Sequence, residues 1–300
     1  MRKSTKPIPT SQADKFTVKE STELMTFIIS KMGGMSRNSV KSLLSHRQVS
    51  VNDKIVTQYN FSLKSSDIVA ISHSRGNIEL SHPKLKVIYE DSDIIVVEKK
   101  EGLLSVTTGK EVEITAFQIL KNYVKKSSSQ NKIYVVHRLD RETSGILVFA
   151  KSREIQLILQ ENWYRIVTKR IYVALVEGKV EKENEKLVSW LKEHEKSLKI
   201  RSYNDDNGGQ MAVTNYRRIK FNEKFSLLEI ELETGRKNQI RVHMESIGHP
   251  VVGDKKYSSA FTNFGRLALH ARILEFYHPT TEKKVHFETP VPREFLKVFH

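Results

Sequence analysis

The chain has 300 residues, with fifty Lys plus Arg against thirty-five Asp plus Glu, a formal charge of +15 and a pI near 9.7. Apolar residues make up 38% and cysteine is absent, which excludes wholesale disorder, disulfide scaffolds, thiol catalysis, Cys-ligated zinc and iron–sulfur clusters. No stretch approaches the ~20 apolar residues of a membrane span, the polar segment 1–19 lacks the apolar run of a secretory signal, and the basic excess points to a polyanion, nucleic acid before an anionic membrane surface.

In chain order, residues 1–17 read as a basic flexible arm with two prolines and no apolar period. Residues 18–73 form a small module. Leu24, Phe27 and Ile28 share a helical face, Gly33-Gly34 break the chain, and Val40, Leu43 and Leu44 define a second helix capped by Ser36. Gln48 to Asp53 reads as a strand entering an Asn-Asp turn, and Asp67 to Ser72 as another strand. Residues 74–84 read as a linker. In 85–300, β-rich runs recur at Val87, Ile94, Ile133, Ile146, Ile171, 226–232 and 267–276, and helical patterns are expected only at 115–124, 154–163 and 238–247. Strands outnumber helices, which implies an α+β domain on a largely antiparallel sheet. The charged stretch 181–200, with Trp190 and Leu191 as its bulky apolar pair, reads as a solvated insertion or surface hairpin.

Two stretches concentrate chemistry. His137-Arg-Leu-Asp-Arg-Glu-Thr-Ser-Gly lies between two apolar strands, so Asp140 sits on a loop held at both ends. Thr234-Gly-Arg-Lys-Asn-Gln-Ile-Arg-Val-His opens a helix on which Gln239, Arg241, His243 and Glu245 alternate with apolar residues. An arginine there can pair with a carboxylate from elsewhere in the chain and keep Asp140 ionised and oriented. In the N-terminal module, Arg37 and Lys41 lie four apart on one helix face and Arg47 follows near the helix end, a spacing that can straddle a phosphate backbone.

The order helix, Ser36-Arg37, helix, Val49-Ser-Val-Asn-Asp and a strand led by Asp67 resembles the small α/β S4 RNA-binding domain, with Ser66-Asp67 where Gly-Asp is usual. That resemblance implies Arg37, Lys41 and Arg47 as RNA contacts. His137-Arg-Leu-Asp with Thr143-Ser-Gly, then Thr234-Gly-Arg, Gln239-Ile-Arg-Val-His, Gly248-His-Pro, Gly253-Asp and Tyr257, resembles the RluA family of pseudouridine synthases. Tyr89-Glu-Asp, Val96-Val-Glu-Lys, Arg170-Ile-Tyr-Val-Ala-Leu-Val, Ala212-Val-Thr-Asn-Tyr and Leu267-Ala-Leu-His-Ala extend the match over about 215 residues in family order. Lys100 and Asn238 depart from the family, which usually has Pro and His there, and neither is expected to touch the catalytic set directly.

The resemblance implies the pseudouridine synthase fold, on a large mixed, mainly antiparallel sheet. It implies isomerisation of uridine to pseudouridine in RNA with no metal and no cofactor. Large-subunit ribosomal RNA is the leading substrate, and tRNA or both kinds are alternatives, as is a non-catalytic RNA-binding assembly factor. Asp140 is implied as the catalytic carboxylate, acting on C1′ or C6 as a nucleophile or removing a ribose proton. Arg241 is implied as its salt-bridge partner, Tyr172 as the tyrosine that stacks on the base, and Leu269 as the apolar contact to uracil. Arg138 is implied to fill the place of the flipped base. His137, Arg141, Thr143, Arg236 and Gln239 complete the expected RNA contacts. The spacings of His137, His243, His249, His270 and His278 match no zinc pattern, which makes them structural histidines. A cytoplasmic monomer is expected.

Overall fold

The computed structural model describes residues 13–45, 48–72, 80–107, 113–195, 197, 199–257 and 259–299. It divides into two units, Met1–Leu80 with Asn122–Asn131, and Ser81–Lys121 with Lys132–His300. Arg47 and most of the expected 74–84 linker lie outside the described residues.

The first unit contains β1 (Ala13–Thr17), β2 (Thr22–Glu23), α1 (Leu24–Lys31), α2 (Arg37–Ser45), β3 (Val49–Val51), β4 (Lys54–Ile55), β5 (Ser62–Leu63) and β6 (Ile68–Ser72). Leu24, Phe27 and Ile28 turn inward from α1, and Val40 and Leu44 from α2, onto a core with Val49, Val69 and Ile71. Ser36 caps α2 by accepting from the Ser39 amide at 3.1 Å. Asn52 (φ 49°) and Asp53 (φ 61°) form the left-handed two-residue turn that joins β3 to β4. Residues 13–17, expected in the arm, instead form β1, paired antiparallel with β6 from Ala13↔Ser72 to Thr17↔Ile68. Phe16 packs on the core and the strand covers an edge of β6 that would otherwise stay open.

The second unit contains β7 (Leu85–Glu90), β8 (Ile94–Lys99), most of its loops, β9 (Tyr134–Val135), β10 (Ser144–Ala150), α4 (Arg153–Glu161), α5 (Trp163–Ile166), β11 (Val167–Glu177), β12 (Asn184–Glu193), β13 (Ile200–Tyr203), β14 (Gln210–Phe221), β15 (Phe225–Leu232), α6 (Gln239–Ser246), β16 (Leu269–Tyr277), β17 (Lys284–Glu288) and α7 (Arg293–Leu296). Helix α3 (Ala116–Ser127) has its residues to Lys121 in the second unit and those from Asn122 in the first. The eleven strands make one sheet in the order β13-β12-β14-β15-β11-β16-β10-β8-β7, with β17 on β16 and β9 on β10. Its ladders are antiparallel except β10–β16, which is parallel, so the domain is α+β on a mixed, mainly antiparallel sheet, as the sequence implies.

β10 is buried along its whole length, which suits its unbroken apolar run at the middle of the sheet. At Gly145 (φ 119°) a Cβ would lie 2.1 Å from the Ala271 carbonyl oxygen, so only glycine lets β10 approach β16. Of the two readings of 181–200, the hairpin is the one formed: β12 pairs antiparallel with the edge strand β13 from Trp190↔Tyr203 to Glu193↔Ile200, and its other side pairs with β14. Ser189 and Leu191 point inward and Lys186, Val188 and Lys192 outward, so six of its ten residues are charged or exposed although the strand is paired on both sides. α6 lies on the inward face, where His243 bonds Ser189 Oγ at 2.9 Å and Thr214 Oγ1 at 2.8 Å. Thr214 opposes Leu232, and Tyr172 opposes Ile230 two residues away, so Tyr172 and α6 share this face.

Candidate active site

The loop between β9 and β10 is held chiefly through its main chain. Ser105 Oγ donates to the Leu139 carbonyl at 2.7 Å and accepts from the Leu139 amide at 3.1 Å. The Asp140 carbonyl accepts from the Thr143 amide at 3.2 Å. The Arg141 carbonyl accepts from the Gly102 amide at 2.9 Å and from Lys99 Nζ at 3.1 Å. Lys99, fully buried at the end of β8, also donates to the carbonyls of Lys100 and Leu103. Burial lowers its pKa to about 8, while the charges of Glu142, Asp140 and Glu101 oppose that shift.

Asp140 is half-buried, and no hydrogen bond holds its carboxylate among the described residues. Its charge acts instead on its surroundings: it favours the cationic forms of Lys99, Arg241 and Lys256. Tyr172 is pushed up to about 12 by burial, against the pull of Arg170 and with the push of Asp140, so it meets neutral pH as a phenol. The arrangement is an available carboxylate beside a protonated tyrosine and among three cations.

Arg241 does not make its direct salt bridge to Asp140. Its guanidinium forks onto Asp254, Nε to Oδ2 at 2.6 Å and Nη2 to Oδ1 at 2.7 Å, with Arg241 11% and Asp254 0% exposed. Asp254 wins because the turn after Gly253 buries it within reach and because two parallel N–H bonds match a carboxylate. Burial opposes the Arg241 charge and the Asp254 bonds outweigh it, which leaves the guanidinium more firmly protonated than usual. Asn238 joins this pair: its Oδ1 accepts from Arg241 Nη1 at 3.3 Å and its Nδ2 donates to the Tyr257 hydroxyl at 3.0 Å. The departure from His at this position therefore touches Arg241 itself.

Several expected RNA contacts turn out to be internal. Gln239 is 2% exposed; its Oε1 accepts from Thr234 Oγ1 and the Arg236 amide, and its Nε2 donates to the Val213 carbonyl and Thr214 Oγ1. Thr143 is buried. His137 accepts from the Val148 amide through Nε2 at 3.1 Å, and its ring packs 4.8 Å from Trp163. Burial first and Arg170 second hold its pKa down at about 3, so it is a neutral strut. Leu269 is buried opposite Ala174. Arg138 is exposed, Arg141 pairs with Glu113 at 3.0 Å, and Arg236 donates through Nε to the Met211 carbonyl. In the other unit, Arg37 and Lys41 are exposed, and Lys41 Nζ lies 5.6 Å from the ring centroid of Tyr59.

Sequence reasoning missed Lys99, Ser105, Asp254 and Arg266 as site-builders. Arg266 donates to Ser144 Oγ at 2.5 Å and to the Leu269 carbonyl at 3.3 Å, and pairs with Glu101 at 2.8 Å. Ser144 Oγ then bonds His270 Nδ1, and His270 Nε2 bonds Thr289 Oγ1, so the strand carrying Leu269 and the end of the Asp140 loop share one polar chain. A lysine closing the apolar run 94–97 was the one available signal for Lys99. Ligand-type atoms of Asp91, Asp93 and His278 lie within 4.8 Å of one another; His278 donates to Asp91 through Nε2 and accepts two backbone amides at Nδ1, and Asp93 accepts from Thr280 Oγ1 at 2.7 Å.

Residues 93–246 match the family model for RNA pseudouridylate synthase. The chain is 32% identical to the RNA pseudouridine synthase YhcT of Bacillus subtilis (strain 168), over 86% of each chain. It is also 32% identical to the ribosomal large subunit pseudouridine synthase D of Nitrosomonas europaea, over 86% of this chain and 77% of that one. A solved structure of human RNA pseudouridylate synthase domain containing 4 superposes with a TM-score of 0.58 at 22% identity, covering 70% of this chain and 90% of that one, a likeness of fold. Sequence and fold together show that the chain belongs to the RNA pseudouridylate synthase family, of RluA type.

Proposed function

We propose that this chain isomerises uridines of large-subunit ribosomal RNA with Asp140 as the catalytic carboxylate. The observation that carries the assignment is the pinning of the Asp140 loop by Ser105 and Lys99, which leaves one carboxylate unbonded beside Tyr172. The reaction breaks the N1–C1′ bond, turns the uracil and joins C5 to C1′; the C5 proton is lost and N1 gains one, so the balance needs no redox partner. Every version of this chemistry turns on the Asp140 carboxylate, whose charge favours the cationic forms of Lys99, Arg241 and Lys256 around it. Tyr172 supports the base by stacking and as a phenol donor, and Arg138, exposed beside Asp140, takes the place of the flipped base. The likeness to an enzyme named for the large ribosomal subunit supports ribosomal RNA as substrate.

The first unit acts as an S4-type RNA anchor through Arg37 and Lys41, supported by their exposed helix face and the Tyr59 ring beside Lys41. Because one chain supplies Asp140, Tyr172 and Arg241, a monomer suffices, and an RNA substrate with a cysteine-free composition supports cytoplasmic action. Asp140→Asn should keep RNA affinity within about twofold and abolish product in carbodiimide mapping of transcribed ribosomal RNA, because the isostere removes only the charge. Substantial turnover by that variant overturns the assignment, and an RNA complex with no product from the wild-type chain would support an assembly factor.

A further inference from the structure

α5 and the start of β11 border a cavity of about 260 Å³, walled by Trp163, Tyr164, Lys169, Arg170, Glu231 and Glu233. It adjoins the site just described: Trp163 packs on His137, and the charge of Arg170 is felt at both His137 and Tyr172. Arg170 and Tyr172, two apart on β11, point to the same face.

Two features of the cavity have no use in the fold. Tyr164 is 65% exposed, a flat aromatic ring offered to solvent. Arg170 is half-buried, yet among the described residues no carboxylate pairs with it. Nη2 donates to the Glu233 main-chain carbonyl at 2.6 Å, and the guanidinium lies 5.8 Å from the Tyr164 ring centroid. Burial works against that charge. The acidic wall does not supply the balance, because the Glu233 carboxylate is taken by Lys186 and Asn215, each at 2.8 Å. Lys169 adds a second cation, and Glu231 offers an acceptor to the edge of a base.

We propose that this cavity is a subsite for a nucleotide of the substrate RNA adjacent to the flipped uridine, its base stacked on Tyr164 and its phosphate at Arg170 and Lys169. The proposal rests on the pseudouridine synthase reading. Flipping a base out of an RNA fold splays its neighbours, and an aromatic face with a guanidinium is the pairing that holds an unstacked nucleotide without reading its sequence. The internal alternative is that Tyr164 merely covers Arg170, which predicts a stability effect and no effect on RNA.

The test uses the full chain with unmodified in vitro transcripts of ribosomal RNA and of tRNA, carrying tritium at uridine C5, and follows tritium release. Tyr164→Ala should raise KM for RNA roughly tenfold, as loss of one base–aromatic stack does, with a much smaller fall in the rate at saturating RNA. Tyr164→Phe should restore wild-type KM, and both variants should melt with the wild type. An unchanged KM in Tyr164→Ala, or a Tyr164→Phe variant as impaired as Tyr164→Ala, overturns the subsite while leaving the enzyme assignment intact. No tritium release from the wild-type chain overturns both.

Discussion

Ser66 holds φ at 75°, in the left-handed region that favours glycine, at the position where S4 domains usually carry Gly. A side chain there costs about 1 kcal/mol or more, partly offset by the entropy glycine loses on folding. Ser66→Gly should therefore stabilise the first unit by about 0.5–1 kcal/mol in urea unfolding; destabilisation would show that Ser66 has gained an interaction of its own. Three buried imidazoles set a pH dependence. Burial lowers His137 to about 3 and His243 and His270 to about 4 from an ordinary 6.5. Between those values the unfolded chain takes up protons that the folded one refuses, so stability is full above about pH 6.5 and declines as pH falls toward 4. Calorimetry from about pH 7 to about pH 5 should show a falling melting temperature, and His270→Asn should flatten that fall. An equal slope in the variant would move the origin elsewhere.

At the scale of elements, the catalytic loop depends on how closely β10 approaches β16. Gly145→Ala places a methyl group 2.1 Å from a main-chain oxygen that no rotamer change can move, at a φ of 119°. The expected loss is about 3–5 kcal/mol, at the upper end for a single substitution, read by chemical denaturation, with product formation falling in parallel. A loss under 1 kcal/mol would mean that the strands can separate without harm. The same scale shows what the sequence could and could not reveal. β8, β10 and α2 were legible because apolar runs, β-branched residues and a serine cap all agree locally. β1 was not, since it pairs through its backbone while presenting charge to solvent, and pairing leaves no mark on composition; for β12 the hairpin was legible but its pairing with β14 was not. Arg241 could be picked out as a charged residue among apolar ones, but its partner could not: the choice of Asp254 depends on a turn thirteen residues away. Gln239, polar and helical, looked like a surface contact until four internal bonds showed what its amide is for.

For the whole molecule, residues 1–80 hold twelve Lys plus Arg against six Asp plus Glu, so six of the fifteen surplus charges belong to the N-terminal part and nine to the rest. With both units on one RNA, as proposed, each would contribute counterion release, and affinity should fall steeply with salt. Deleting residues 1–80 would also strip the partners of 122–131, so substitution is the cleaner probe. Arg37→Ala with Lys41→Ala should lower the slope of log affinity against log salt by about 1.4, near the value for two phosphate contacts on a single strand; an unchanged slope would place the anchor elsewhere.

The parallel pairing of Ser144 with His270 and of Gly145 with Ala271 also sets a clock. The loop that carries Asp140 and the strand that braces it lie more than a hundred residues apart in sequence. Until β16 docks beside β10, the end of the Asp140 loop lacks the Ser144–His270 tie, so the loop gains its brace only when these distant segments have met.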